Sequence, residues 1–198
     1  MKNLTSTAII ACSLLSANAS IFQYSVSLDG PSESATNTSL GTGIGMVSFD
    51  DSLNTLTLSL TFSGLQGTTT ASHIHAPTLI PFAGTAGVAT TTPTFAGFPL
   101  GVTSGTYNNV LDLTLASSYN PSYITANGGT TAGAETALVA AMASGEAYWN
   151  VHSSVYGGGE IRGFLVAVPE PSSPALLGLG GIGMAARAWS KRRALNRT

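Results

Sequence analysis

The chain has 198 residues, of which 43% are hydrophobic and only 8% are charged, whereas an average globular protein has about 25% charged residues. So few charges exclude a nucleic-acid-binding protein and a charged coiled coil, and the hydrophobic content excludes charge-rich disorder. The net charge of −2 hides a segregation: six of the seven basic residues lie at the two ends, and Arg162 alone accompanies eight acidic residues between Ser20 and Val168. This layout is typical of an exported protein.

Residues 1–19 have the pattern of a secretory signal peptide. Lys2 supplies the positive start, residues 8–15 form a short apolar stretch, and Ala17 and Ala19 fit the small-x-small cleavage pattern. A lipoprotein signal ending at Cys12 is the alternative, although it leaves a shorter apolar stretch before the cysteine. Cleavage after Ala19 removes the only cysteine, so we expect no disulfide in the mature protein.

Alternation of apolar and polar residues with a period of two dominates the middle of the chain and predicts β-strands. The alternation is clearest in residues 55–62, where leucine or phenylalanine occupies every second position. Glycine-containing turns at 64–67, 127–129 and 157–159 separate the candidate strands. The predicted strands cover residues 22–28, 44–49, 55–62, 71–76, 110–115, 147–152 and 160–166.

One segment, residues 132–144, has a helical pattern, with Leu138, Val139 and Met142 on its apolar side. Residues 77–109 have no consistent period, although 88–95 are compatible with a further strand. Many short strands with one short helix predict an all-β fold, either an antiparallel β-sandwich or a flattened Greek-key barrel. We expect this domain to cover residues 20–168.

The three histidines of the chain all lie in predicted strands. His73 and His75 are two positions apart, so both imidazoles point to one face of a strand with their Cα atoms about 6.6 Å apart. His152 can reach them only through the fold. Three neutral imidazoles would suit copper. In the alternative, the histidines are structural and bind loop carbonyls or Glu160, while Arg162 pairs with Glu160, Glu146 or a carbonyl near the C-terminus.

The C-terminal residues 169–198 form a second processing segment. Pro169, Glu170 and Pro171 precede an apolar, glycine-rich stretch at 174–186, and a run of arginine and lysine follows. The stretch is short for a permanent membrane span, which needs about 20 residues, and the basic end would keep the C-terminus in the cytoplasm. An ordinary tail anchor is the alternative.

This C-terminal pattern resembles the PEP-CTERM sorting signal, which consists of a Pro-Glu-Pro motif, a short transmembrane helix and an arginine-rich end. The resemblance implies an exosortase-type membrane protease as a partner, transient anchoring in the inner membrane, and delivery to the cell surface or the extracellular matrix.

Four motifs in the body of the chain look like those of the CHRD domain, named for the repeats of chordin. They are Ser63-Gly64-Leu65, residues 71–77 with the two nearby histidines, residues 145–152 ending at His152, and Gly159-Glu160-Ile161-Arg162-Gly163. The opening motif of the domain departs from the family pattern at residues 28–33, and Ala76 stands where glycine is usual. The resemblance implies a β-sandwich without an agreed enzymatic activity.

A fainter likeness extends to Cu/Zn superoxide dismutase. The order of a His-x-His strand, a later histidine strand and a closing arginine segment is similar, so His73, His75 and His152 match copper-ligand positions and Arg162 matches the active-site arginine. The bridging histidine, the zinc loop and the cysteines have no counterpart.

Two functions are therefore open. The favoured one is an exosortase-sorted surface or matrix protein with a non-catalytic CHRD domain that binds an unidentified partner or supports structure. The alternative is a periplasmic or surface copper-binding protein that uses His73, His75 and His152, with weak redox activity as an extension.

Overall fold

The computed structural model describes residues 20–169. Eight strands and two helices follow one another in the chain, with a 3-10 turn at Ala116–Ser118 before the first helix. The strands are β1 (Ile21–Asp29), β2 (Thr42–Asp50), β3 (Thr55–Ser63), β4 (Thr69–His75), β5 (Gly105–Asp112), β6 (Tyr148–Ser153), β7 (Ile161–Phe164) and β8 (Val166–Ala167), and the helices are α1 (Pro121–Ala126) and α2 (Thr131–Ser144).

All strands belong to one antiparallel sheet with the order β4-β6-β7-β1-β2-β3-β5, and β8 also pairs with β1. The sheet curls into a half-barrel, which confirms the predicted all-β class. Alternate side chains of β3 are buried: Leu56, Leu58 and Leu60 are fully buried, while Thr57 and Thr61 on the other face are exposed. The period-two pattern of the sequence is therefore the inside-outside pattern of the sheet.

Helix α2 supplies part of the same core. Leu138 and Met142 are buried in one hydrophobic cluster with Trp149 of β6. The helix begins where the Thr130 side chain accepts a hydrogen bond from the backbone N–H of Gly133, and it ends at Gly145, whose φ of 76° lies in the left-handed region. The predicted helix 132–144 thus agrees with α2 to within one residue.

The segment 76–104 covers the outer edge of β4. Its backbone N–H groups at Ala89 and Phe95 donate to the carbonyls of Ile74 and Ser72, and the N–H of Ala76 donates to Gly87 within the same layer. Residues 88–95 form only isolated bridges, at Val88 and Thr90, so the additional strand compatible with them is absent from the described structure. The loop thereby pairs backbone groups that β4, as an edge strand, would otherwise expose.

Most strand boundaries differ from the sequence prediction by one or two residues, and three differences are larger. Strand β5 starts five residues before the predicted segment 110–115, because Gly105 and the polar residues after it pair with β3 despite their weak apolar pattern. The predicted strand 160–166 is divided at Leu165, whose N–H donates to Ala147 while β8 turns to β1. Helix α1 was not predicted; its N-terminal signals are Pro121 and the side chain of Asn120, which accepts from the Ser122 N–H.

Candidate metal centre

The three histidines lie together on the outer face of the sheet. His73 and His75 project from β4 and His152 from β6, opposite to Ile74, which is fully buried in the core. In the antiparallel register His152 is paired with Ala71, which places it next to the two β4 histidines. Each of the three residues offers one ligand atom, and these atoms all lie within 4.8 Å of one another.

One nitrogen of each imidazole ring is bound to a backbone carbonyl. His73 Nε2 donates to the carbonyl of Pro93, His75 Nδ1 donates to Ala86 over 2.9 Å, and His152 Nδ1 donates to Gly157 over 3.0 Å. A carbonyl oxygen can only accept, so each of these nitrogens must carry the ring proton. The tautomer of all three rings is fixed in this way.

Within residues 20–169, the other nitrogen of each ring has no hydrogen-bond partner. His73 Nδ1, His75 Nε2 and His152 Nε2 are all buried, and each carries a free lone pair. A buried polar atom without a hydrogen-bond partner typically lowers the stability of the fold by about 1–3 kcal/mol. Three such atoms close together are unusual for a cluster with a purely structural role. Three converging lone pairs are, however, what a transition-metal ion requires, and carbonyls that hold the second nitrogen are the usual support of a ligating histidine.

Burial keeps the three imidazoles neutral. Desolvation lowers the pKa of His73, with a further lowering by His152, against the opposing effect of the hydrogen bond to Pro93. Burial lowers the pKa of His75 to about 4, and it lowers the pKa of His152 below its ordinary value. At neutral pH the rings are therefore in the form that binds a metal.

The loops around the sheet supply the carbonyls that orient the rings. Ala86 and Pro93 belong to the segment 76–104, and Gly157 belongs to the turn between β6 and β7. Gly159 in this turn has a φ of 136°, and a Cβ there would collide with the side chains of Glu33 and Asn150. Glycine at position 159 is therefore needed for the turn that holds His152.

Arg162 lies beside this centre but does not bind a histidine. Its Nη1 donates to the Gly84 carbonyl over 3.0 Å, and its Nε donates to the Ser32 carbonyl and lies 3.9 Å from Glu33 Oε2. The guanidinium also lies 4.8 Å from the centre of the Tyr148 ring. Burial raises the pKa of Glu33 to about 7, although the charge of Arg162 acts in the opposite direction.

Glu160 has a different role from the one considered in the sequence. Its buried carboxylate accepts from the Ser39 hydroxyl over 2.6 Å and from the backbone N–H groups of Gln66 and Gly67. It thus joins the loop between β1 and β2 to the loop between β3 and β4. The expected contacts of Glu160 with the histidines and with Arg162 are wrong, and Glu33 is the carboxylate that faces Arg162. The expected binding of His73 and His75 to loop carbonyls is correct.

The predicted processing residues Ala17, Ala19, Glu170 and Pro171 lie outside the described residues, as does the apolar stretch at 174–186. Pro169 is the last described residue and is exposed. Across residues 20–169, none of the helices is both long and apolar enough to cross a membrane.

Fold and site together define an all-β domain that carries a cluster of three histidines on one face of its sheet. Comparison with protein families assigns the class: residues 24–165 match the model of the CHRD domain, and the chain belongs to that family. Residues 167–193 match the PEP-CTERM protein-sorting motif. Searches of curated proteins and of solved structures found no match.

The sorting motif determines the route of the protein. PEP-CTERM signals are processed by exosortase, a membrane protein, so the chain carries the signal for exosortase-dependent export to the cell surface. Both resemblances noted in the sequence, to the CHRD domain and to the sorting signal, are confirmed by these matches.

Proposed function

We propose that this chain is an exosortase-sorted surface protein whose CHRD domain, residues 20–168, is a non-catalytic module that binds one copper ion through His73, His75 and His152. The observation that carries the proposal is the convergence of three buried lone pairs, one from each ring, with all three atoms within 4.8 Å of one another. Imidazole nitrogen is a favoured ligand of copper.

A binding role is favoured over catalysis because the two buried carboxylates, Glu33 and Glu160, are engaged elsewhere. Glu160 accepts hydrogen bonds from Ser39 and from backbone N–H groups, and Glu33 faces Arg162. Within the described residues, no other group of three or more histidine, cysteine or acidic side chains is arranged to hold a metal ion. Neither Glu33 nor Glu160 is therefore available as a general base beside the proposed ion.

The proposed processing and final location of the protein follow from the signals at its two ends. The signal peptide 1–19 is removed after Ala19, the tail holds the chain briefly in the inner membrane, and exosortase cleaves near Pro169, Glu170 and Pro171. The domain then resides at the cell surface or in the extracellular matrix, where a partner of unknown identity is expected.

Metal analysis of the purified protein tests the function. After equilibration with copper and removal of the excess, we expect about one equivalent of bound copper per chain. His75→Ala should lose this copper, whereas Asp51→Ala, an exposed carboxylate on the β2–β3 turn, should retain it. Copper that is bound equally by wild type and His75→Ala would contradict the proposal.

A further inference from the structure

We infer that the three-histidine cluster selects monovalent copper, Cu(I), over the divalent ions Cu(II) and Zn(II). The inference rests on the proposed copper site and specifies the ion that the site is built to hold. It follows from three properties of the cluster: the charge of the donors, the charge of the surroundings and the number of ligands.

The donor set has no negative charge. All three free nitrogens belong to rings whose single proton is engaged by a carbonyl, so each ring is neutral and cannot neutralise a bound ion. No carboxylate or thiolate joins the histidines in the described part of the chain. The bound ion therefore keeps its full charge, either one or two units.

Because the cluster is buried, the charge of the bound ion determines how much solvation the ion loses on binding. His73 and His75 are 6% and 8% exposed, and the three free nitrogens are inaccessible to solvent. The cost of moving an ion from water into a protein interior grows with the square of its charge, so a divalent ion loses about four times the solvation of a monovalent ion of the same size. With neutral donors this loss is not offset by an opposite charge.

Arg162 adds a fixed positive charge on one side of the cluster. Its guanidinium contacts the face of Tyr148, and the ring of Tyr148 stacks on the imidazole of His75 with 4.8 Å between centroids. The positive charge of Arg162 acts on His75 across this stack and disfavours a second positive charge there. Glu33, whose Oε2 lies 3.9 Å from Arg162 Nε, offsets this charge only in part, because burial raises the pKa of Glu33 to about 7 and leaves its carboxyl partly protonated at neutral pH.

The ligand number points the same way. Cu(I) needs no ligand beyond three nitrogens, whereas Cu(II) prefers tetragonal sites and Zn(II) on three histidines takes a water as its fourth ligand. The three free nitrogens are inaccessible to solvent, which disfavours such a water. The rings cannot easily rearrange to admit a different geometry, because Pro93, Ala86 and Gly157 each hold the second nitrogen of one ring.

The test compares the ions on the purified protein. Cu(I) affinity is measured without oxygen by competition with a coloured Cu(I) chelator, Cu(II) and Zn(II) affinities by competition with chelators of those ions, and the potential of the bound copper by redox titration. We expect Cu(I) to bind at least about a hundredfold more tightly than Cu(II), which corresponds to a potential about 120 mV above that of aqueous copper at 59 mV per tenfold change.

The outcomes separate the two proposals. If none of the ions binds at one equivalent, the proposed function itself is overturned. If copper binds at one equivalent but Cu(II) or Zn(II) binds as tightly as Cu(I), the function stands and the selectivity is overturned.

Two variants of Arg162 isolate the charge. Arg162→Gln should lower the potential of the bound copper, while Arg162→Lys, which keeps the charge but loses the forked hydrogen bonds, should keep the potential near that of the wild type. A potential that falls equally in both variants would contradict the electrostatic argument, because loss of the carbonyl contacts would then explain the change.

Discussion

The ring of Tyr148 lies parallel to the imidazole of His75, with 6° between their planes and 4.8 Å between their centroids. Both side chains also reach the same acceptor, because His75 Nδ1 and the Tyr148 hydroxyl both donate to the carbonyl of Ala86. The orientation of the His75 ring is therefore fixed by two contacts: Tyr148 stacks on its face, and the Ala86 carbonyl accepts a hydrogen bond from its Nδ1. We regard Tyr148 as a positioning residue for the proposed site.

Replacement of Tyr148 should weaken copper binding without removing a ligand. Substitution of a residue that orients a metal ligand typically costs about 10–100-fold in affinity. We expect Tyr148→Leu, which loses both the stack and the hydroxyl, to fall in this range, and Tyr148→Phe, which keeps the stack, to lose less. Chelator competition measures both. Equal affinities for Tyr148→Leu and the wild type would show that the stack has no positioning role.

Copper should stabilise the wild-type protein against heat and should leave His75→Ala unaffected. A ligand that binds only the folded state at 100 times its Kd adds about 2.7 kcal/mol of stability, and this gain disappears when the site is lost. Thermal unfolding with and without copper measures the difference in Tm. The matched control is Asp51→Ala, which should show the same gain as the wild type; a gain in His75→Ala would place the copper elsewhere.

The pH dependence of copper binding should lie below the ordinary range of histidine. Burial lowers the pKa of His73 and His152 and lowers that of His75 to about 4, so protons begin to compete with copper only below pH 6.5. Copper uptake should be constant between pH 7.5 and 6.5 and should fall as the pH drops toward about 4. A loss of binding centred at 6.5 would mean that the rings titrate as exposed histidines do.

The same groups predict the acid stability of the metal-free protein. The folded-state pKa values are below the unfolded value of about 6.5, so the histidines contribute their full stability above 6.5 and lose it as the pH falls below that value. Urea unfolding at a series of pH values measures this slope. Replacing His75 by Gln, which does not titrate, should reduce it, and an unchanged slope would exclude His75 as a source.

Glu160→Gln should destabilise the fold and spare the metal site. Burial alone would raise the pKa of Glu160, but hydrogen bonds from Ser153, Ser39 and the backbone outweigh it and lower the pKa. An amide would place N–H groups against those donors, at a cost of about 3 kcal/mol by the usual value for a buried charged hydrogen-bond acceptor.

Urea denaturation measures that cost, and Glu146→Gln is the control, since the Glu146 carboxylate has no hydrogen bond or ion pair within residues 20–169. The copper stoichiometry of folded Glu160→Gln should equal that of the wild type. Loss of copper in the folded variant would show that Glu160 acts on the site.

The mass of the protein from its own host should show both processing steps. We expect a chain that begins at Ser20 and ends between Pro169 and Ser173, because the sorting signal is processed by exosortase. A mass that includes Arg192 and Arg193 would contradict this. In a host without the protease, the tail should remain attached and the protein should stay with the inner membrane.

The sequence allowed prediction of most strands and of the candidate histidines, but not of the groups that surround those histidines. Alternation identified β3 and the shared face of His73 and His75, since a pleated strand repeats every two residues. The carbonyls of Ala86 and Pro93 could not be foreseen, because they lie in a segment without charge or period and any residue can offer a carbonyl. The contact of Glu33 with Arg162 was also missed, since it depends on a loop that packs across the sheet.

The pairing of β4 with β6 makes the three-histidine cluster a reporter of folding fidelity. His73 is opposite Asn150 and Ile74 is opposite Trp149, so a slip of β4 by one residue would turn both imidazoles into the apolar core and Ile74 out to the surface. A misaligned chain would then have no ligand pair on the outer face. The fraction of newly exported molecules that bind copper tightly would therefore measure the fraction in which β4 pairs with β6 in the correct register.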